Sequence, residues 1–529
     1  MFNLGFKKYR ILFGILILFL PACFLSGGNP NNNSGNGTPN PDPGYDYPGE
    51  DPDPGGLNST YFTCNCLDGS DPNCIPGSDN NDGLTPETAW KTYDRAQDQF
   101  SSLNASESIA FCRGGSFEVN ENSQNQWVNN NCQADNRCSV RDYIPPWGDD
   151  NLLRPYIYVQ NGADAFRLNN GGNSEHQEGY IFRNLYLRGT QNQGRGFFLA
   201  NDIDDVLIQN IYIDGFAIGV QNAGGNEPNP GSDRQNDRMI VRNSTIVNNA
   251  GQGLLGGASD CIIENNYFEN NGFGQANLNH NLYWSGGGGG PTFNSIIRNN
   301  ELYRSTNIDE MCKGVSLVVH GQHTNLLIEG NLVREDAGMV TQGCWGIAVD
   351  TGYESEEYFI DLTIRNNKVI NVGGQGIGCT SCQNALIENN IIINDHNINT
   401  EGIRVPNRTR GDDDLPTTDV TIRNNSIYTL GLKSGIKVDS TDGENFVVVS
   451  NAINSESTCI DLNGPVTESH NACNVEFSSI EGPDYDLFPP LGSPLIDAGH
   501  PTLSSTEDYD GVSRPQGGGF DIGAYEIIP

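Results

Sequence analysis

The sequence predicts an all-β chain wound as a parallel solenoid, on three observations. One short phrase recurs ten times between residues 181 and 453: two or three apolar residues, a polar one, an asparagine, then apolar residues again, as in IFRNLYL, IVRNSTI, IIENNYF and TIRNNKV. The aligned position is Asn184, Asn210, Asn243, Asn265, Asn299, Gly330, Asn366, Asn389, Asn424 and Asn451, and its spacing runs from 22 to 36 residues while the phrase stays fixed. A fixed phrase at a variable period is what stacked coils with optional loops produce. The phrase is followed by a second apolar stretch opened by glycine, as at Gly346, Gly376, Gly402 and Gly435. Several short β-branched strands per repeat, with no helical or heptad period, predict a parallel β-helix of about ten or more coils.

At the N-terminus, Lys7, Lys8 and Arg10 precede an apolar run from Ile11 to Leu20, too short to cross a bilayer, which closes on Leu20-Pro21-Ala22-Cys23. This resembles a bacterial lipoprotein signal spanning residues 1–22. The resemblance implies a lipid on Cys23 as the only membrane contact, and Phe24 in place of aspartate favours the outer membrane or cell surface. An ordinary cleaved signal with a chance cysteine is the alternative. Residues 23–57 are Gly, Asn, Pro, Ser and Asp with almost nothing apolar, a tether that cannot bury a core.

Residues 58–145 are expected to hold an N-terminal cap and the first coils. Within them, TPETAWKTYDRAQDQF (Thr85 to Phe100) places Trp90, Tyr93, Ala96 and Phe100 at helical spacing behind Thr85 as N-cap, a short helix that would close the first coil. Just before it, Asp79, Asn80, Asn81, Asp82 and Gly83 resemble a calcium loop without the closing glutamate, so calcium is the one cofactor suggested and a plain turn is the alternative. The β-helix is expected over 146–480 and a C-terminal cap over 481–529, both caps covering strand edges that would otherwise recruit another strand.

The recurring asparagine has a physical reason. A coil must turn sharply between strands, asparagine tolerates the left-handed conformation, and its amide can bond the asparagine one coil away, about 4.8 Å off. Most Asn-Asn pairs are therefore expected to be structural.

Sixty-six acidic against 29 basic residues give a net charge of −37, which repels nucleic acid and anionic lipid and also opposes a polyanionic sugar. Of 14 cysteines, Cys23 leaves an odd number, and Cys261, beside Ile262 and Ile263, is expected to stay free. Cys312 and Cys344 each lie four residues before the same register position in neighbouring coils and are expected to form a disulfide. Cys132 with Cys138 and Cys459 with Cys473 read as local staples, while Cys379-x-x-Cys382 leaves a metal or redox pair open without a second ligand pair to complete it.

The asparagine phrases, GSDNNDGLTPETAWKTYDRA (Gly77 to Ala96), SIAFCRGGSF (Ser108 to Phe117) and DYDGVSRPQGGGFDIGAYE (Asp508 to Glu526) resemble bacterial right-handed parallel β-helix proteins of the pectate-lyase-like group, from about Tyr61 to the C-terminus. That architecture serves lyases, hydrolases, epimerases, esterases and non-catalytic surface proteins, and no catalytic motif of those families matches here residue by residue.

Candidate functional residues come from register. Aligning the glycine-opened strands puts Phe198, Gly219, Tyr283, Ser316, Ala348, Gly378, Arg404, Lys437 and Asp461 in one outward column, with Asp350, Thr380, Pro406, Asp439 and Asn463 two residues on. Arg404, Lys437, Asp439 and Asp461, flanked by Glu401, thus form one cluster, which as an alternative is an ordinary surface ion-pair ladder. His280, Tyr283, Trp284, Lys313, His320 and His323 form a second, and loops at Tyr303 to Glu310, Gly352 to Phe359 and Asn407 to Pro416 are expected to wall a groove. A lyase on a uronic-acid polymer needs a base, an acid and a cation, types that His280, Tyr283, and Lys313 or Arg404 supply. A hydrolase needs two carboxylates, for which Asp439 and Asp461 are the pair. Trp284, His320, Asp350 and Glu401 are the expected binding residues. The expected function is a monomeric extracytoplasmic protein acting on a polysaccharide or cell-surface glycan, lyase ahead of hydrolase, with calcium bridging as the answer to the charge objection; the alternative is a non-catalytic glycan-binding or partner-binding surface protein. If Cys23 carries the lipid, Cys23→Ala is expected to move the protein from the membrane fraction to the soluble one; a wild type already soluble, with a free N-terminus after residue 22, contradicts that reading.

Overall fold

In a computed structural model of the chain, the described residues are 60–120, 126–170, 178–225, 234–286, 290–408, 410–480, 482 and 485–528. The expected signal segment, Cys23 and the tether lie outside them.

Three parallel sheets of 17, 13 and 11 strands are stacked from successive coils, making the chain a parallel β-helix, right-handed as crossovers between parallel strands require. One coil illustrates the path: Ile296–Arg298 lies in the first sheet, Glu301–Tyr303 in the second and Leu317–His320 in the third, before Leu327–Glu329 pairs with Ile296–Arg298. Strands of the first two sheets are so short that often only the central residue enters the core. Those residues line up coil on coil, Ile263 on Ile297, Ile328, Ile364, Ile387 and Ile422, all buried. Near the N-terminus Phe166, Phe182 and Phe197 fill the wider core instead, with ring centroids 4.8–5.3 Å apart.

The turn between the first and second sheets divides its work between two adjacent columns. The first asparagine of each phrase adopts the left-handed conformation, with φ of 59° at Asn184, 53° at Asn210, 54° at Asn299 and 52° at Asn424. The amide ladder expected there runs instead mainly through the next residue. Asn266, Asn300, Asn331, Asn367, Asn390, Asn425 and Asn451 each pass an amide N–H to the side-chain carbonyl oxygen of the next, the last of them to Asn471, at 2.9–3.0 Å, and all but Asn471 are buried. Asn451 therefore belongs to the buried column, and Ser450, at φ 56°, takes the turn position assigned to it from the sequence. Gly330 takes the turn column with φ of 64°, a conformation glycine adopts without steric cost.

Charge on the outer face of the first sheet is arranged by the same register. Arg242, Glu264, Arg298, Glu329, Arg365, Glu388 and Arg423 occupy one column on successive coils, alternating in sign. Arg298 meets Glu264 at 2.6 Å, Arg365 meets Glu329 at 3.0 Å and Arg423 meets Glu388 at 2.7 Å.

Both ends depart from the sequence reading. Thr85 caps only the short turn Pro86–Thr88, and the α-helix Tyr93–Phe100 begins later, behind Thr92. Residues between them cannot be helical because Trp90 pairs with the first strand: its N–H donates to Phe62 O at 2.8 Å, and its carbonyl accepts from Cys64 N at 2.9 Å. The helix buries Tyr93, Ala96 and Phe100. Asp79 accepts from Lys91 N, Thr92 N and the Thr92 hydroxyl, and Asp82 from Leu84 N and the Thr88 hydroxyl, so these carboxylates tie a turn rather than form an open cation cage. At the other end, the last segment runs back along the flank. The amides of Asn366, Asn389 and Asn424 donate to Tyr509 O, Glu507 O and Asp521 O, while Leu495, Ile522, Ala524 and Tyr525 bury against Ile391, Ile393, Tyr428 and Ala452 of the second sheet. The outer face of that sheet is apolar here and needs a cover. The final strands Ile460–Asn463 and Val466–Ser469 stay partly exposed.

Among the described residues six disulfides form: Cys64–Cys112, Cys66–Cys74, Cys132–Cys138, Cys312–Cys344, Cys379–Cys382 and Cys459–Cys473. Cys261 is free and buried. Adjacent residues of the turn should therefore differ sharply on substitution. Asn299→Gly is expected to change stability by less than about 0.5 kcal/mol, since glycine adopts the same backbone and the side chain is exposed. Asn300→Ala strands its partners in the core and is expected to cost about 3 kcal/mol, measured by chemical denaturation.

Candidate functional site

The third sheet carries the columns in question. Its outward column reads Arg167, Phe198, Gln221, Leu255, Tyr283, Val318, Ala348, Gly378, Arg404, Lys437 and Asp461. Gln221 and Val318 stand where the sequence alignment placed Gly219 and Ser316. Both offsets are two residues, so the face is unchanged but the neighbours are not. The Cys312–Cys344 bond, with Cα atoms 5.4 Å apart, forms despite the offset, because Cys312 pairs with Val340 and reaches Cys344 across the turn.

With this register Ser285 pairs with His320, and Tyr283 lies one column position earlier, beside Val318. The His320 ring is centred 5.4 Å from that of Tyr283 and 5.5 Å from that of Tyr353, and the two tyrosine hydroxyls are 2.6 Å apart. His320 Nδ1 bonds the Asp350 carbonyl at 2.5 Å, which makes Nδ1 the protonated nitrogen of the neutral ring and leaves Nε2 as the acceptor. Gly352 lets the ring sit close, since a Cβ there would come within 2.7 Å of it. Burial holds His320 below its ordinary pKa against the pull of Asp350, so it is neutral at pH 7. Burial, and then the neighbouring Tyr353 hydroxyl, raise Tyr283; burial raises Tyr353. Both phenols are protonated at neutral pH.

The surrounding loops are fastened by charge. The Asp350 carboxylate accepts from Thr380 Oγ1 at 2.9 Å and pairs with Arg408. Glu357, with its side chain fully buried, accepts from the backbone N–H groups of Gly321, Gly352 and Tyr353 at 2.6–2.7 Å and so fixes the turn that presents Tyr353. Its own N–H donates to Asp414, which also accepts from Arg410 N and Gly411 N, and Arg410 pairs with Glu354 at 2.9 Å. The loop segments 350–358 and 410–417 are thus latched to each other beside the tyrosine pair.

Several sequence candidates fall outside this arrangement. Trp284 is buried in the core, as strand alternation demands for the residue after an outward Tyr283. His280 is 3% exposed, bonded through Nδ1 to Val315 O at 3.0 Å, and pushed down to about 4 by burial; it backs the Tyr283 ring at 5.5 Å rather than facing solvent. His323 is likewise internal, between Thr292 and the His320 carbonyl. Lys313 sits beside the hairpin Asn307–Ile308/Met311–Cys312 and pairs with Asp309 at 2.9 Å. Arg404 and Lys437 are paired across adjacent strands, yet each has an acid of its own: Glu401 lies 3.2 Å from Arg404, at an angle outside hydrogen-bond geometry, and Asp461 lies 3.1 Å from Lys437. Asp439 accepts from Thr441 and Asn463. Tyr353, Glu357 and Arg408 were not singled out from the sequence. They lie on loops without periodicity, and the one signal for them was that those loops border the right face.

Neither of two cavities resolved elsewhere involves this face: about 330 Å³ beside Cys312 and Glu335, and about 270 Å³ beside Cys64 and Trp147. No protein-family profile matches the sequence, and no curated protein matches it. Among solved structures the chain is similar to the Agl-KA catalytic domain (14% identity, TM-score 0.39, 72% of this chain and 64% of that one) and to pectate lyase Pel9A (13%, 0.36, 89% and 97%). It is similar also to PfbA, a surface adhesin of Streptococcus pneumoniae (13%, 0.46, 72% and 86%). The chain thus spans just under two thirds of the first of these, and none of the likenesses assigns a role to a residue here.

Proposed function

We propose that this β-helix is an extracytoplasmic carbohydrate-active protein that cleaves an acidic polysaccharide by β-elimination on the outer face of its third sheet. The reading rests on one observation: a neutral half-buried histidine, His320, packed against a hydrogen-bonded pair of protonated tyrosines, Tyr283 and Tyr353, on an outward face. β-Elimination needs a base for the proton on the carbon next to the uronate carboxylate and an acid for the departing glycosidic oxygen. His320, through Nε2, is the base. The electrons of the C–H bond form the new double bond, the C–O bond breaks, and the leaving oxygen takes the Tyr283 proton, which Tyr353 replaces along their hydrogen bond. Arg408 is the cation for the substrate carboxylate, which competes with Asp350 for it. Arg404, Arg408, Lys433 and Lys437 are the cations near this face of a chain of net charge −37; each is paired with an acid, which an anionic substrate would have to displace. A hydrolytic pair from Asp439 and Asp461 is less well supported, since an acid of raised pKa requires burial and the Asp461 side chain is 45% exposed. Six disulfides suit an oxidising compartment outside the cytoplasm, in keeping with a lipid-anchored address.

Acidic polysaccharides incubated with the chain from residue 58 onward, read by the absorbance of unsaturated ends, test this. Tyr283→Phe and His320→Ala are each expected to lower turnover about a hundredfold or more, and Asp461→Asn to leave it unchanged. The acid limb of kcat/KM should fall below pH 6.5, where the lowered His320 protonates, with no basic limb before pH 10, because Tyr283 is raised. New reducing ends without unsaturation indicate a hydrolase, retention on glycan without product indicates a binding protein, and normal turnover in both variants places the site elsewhere.

A further inference from the structure

We propose that Cys312–Cys344 is an exchange-competent redox centre, in which Glu335 handles the proton when a dithiol reduces the bond. The inference is independent of the sugar chemistry above. Cys312, Val340 and Cys344 form a small apolar cluster apart from the main core. Against it lies Glu335, only 6% exposed, with a carboxylate oxygen and the two sulfurs all within 4.8 Å of one another. Among the described residues, no other group of three cysteine, histidine or acidic side chains is so close. Glu335 accepts one hydrogen bond, from Ser305 N at 2.9 Å, and no ion pair compensates its burial among the described residues. A purely structural disulfide gains nothing from a buried acid at its side, since desolvating a carboxyl without a cation is costly. The acid is kept in its proton-bearing form: burial pushes Glu335 up to about 8, with Asp336 adding to the rise and Arg304 and Arg334 opposing it.

Access comes from the cavity of about 330 Å³, partly open to solvent and lined by Cys312, itself 2% exposed, with Glu335, Arg304, Asn307 and Met339. Cys344 does not line it, so Cys312 is the sulfur attacked. A reductant thiolate bonds to Cys312 Sγ, the Cys312–Cys344 bond breaks, and its electron pair goes to Cys344 Sγ, which takes the Glu335 proton. The Glu335 carboxylate then removes the proton of the reductant's second thiol, which attacks the reductant's own sulfur and closes its disulfide. Cys312 leaves as thiolate and takes a proton from water, the one the reductant lost at the outset. Two protein thiols and an oxidised dithiol result, and in reverse the same steps oxidise the pair.

Timed reduction of the folded chain with dithiothreitol, alkylation and mass mapping tests this, with the partly exposed Cys459–Cys473 in the same molecule as control. Glu335→Gln is expected to slow Cys312–Cys344 about a hundredfold relative to Cys459–Cys473, the size of a lost acid–base catalyst. Should that variant not fold, the wild type decides: the ratio of the two rates should fall as pH rises through about 8. A ratio indifferent to both, or a Cys312–Cys344 bond that opens only when the chain unfolds, overturns the proposal.

Discussion

A buried ladder of asparagine amides sets where every side chain of this β-helix points. Strands of three residues are too short to hold a register by themselves, and a slip of one would exchange inside for outside. From Asn300 to Asn451 each amide both donates to the next coil and accepts from the previous one, so a slipped coil would leave several polar groups unpaired in the core. The left-handed residue just before the ladder turns the chain, and the isoleucine column fills the space it encloses. Coil lengths can then vary freely in the loops without disturbing the stack.

Register also distributes charge. On the first sheet it alternates arginine and glutamate so that each neutralises its neighbour, and on the second sheet it produces an apolar patch that the C-terminal segment covers. The third sheet has neither treatment around the strands His280–Gly286 and Leu317–His320. There two loops, fastened through Asp350, Asp414 and Glu357, stand beside a histidine and two tyrosines. The strands that bring His320 and Asp350 to that place follow Cys312 and Cys344, so the redox pair and the candidate site share their supports.

The parallel β-helix was legible because its signal repeats: a phrase read ten times averages out local accidents. What a single alignment could not fix was offset within a repeat. The two asparagines of each pair differ in role by one residue, and only backbone conformation distinguishes the turn at Asn299 from the ladder at Asn300. Gly219 and Ser316 were each two residues out because their strands open with different loop lengths. Trp284 was misread through chemistry taken ahead of geometry, since its neighbour Tyr283 already faced outward. Tyr353, Glu357 and Arg408 carried no periodic signal at all, and their positions depend on a backbone hydrogen bond from Glu357 to Asp414 and an ion pair from Arg408 to Asp350, 57 and 58 residues apart in sequence, which no local pattern encodes.

A structure of the Tyr283→Phe protein with an acidic oligosaccharide bound tests the central claim most directly. The expected result is a sugar chain lying along the third sheet, one uronate carboxylate at Arg408, the adjacent carbon facing His320 Nε2, and the glycosidic oxygen over residue 283. Sugar bound on another sheet, or centred on Asp439 and Asp461, would contradict it.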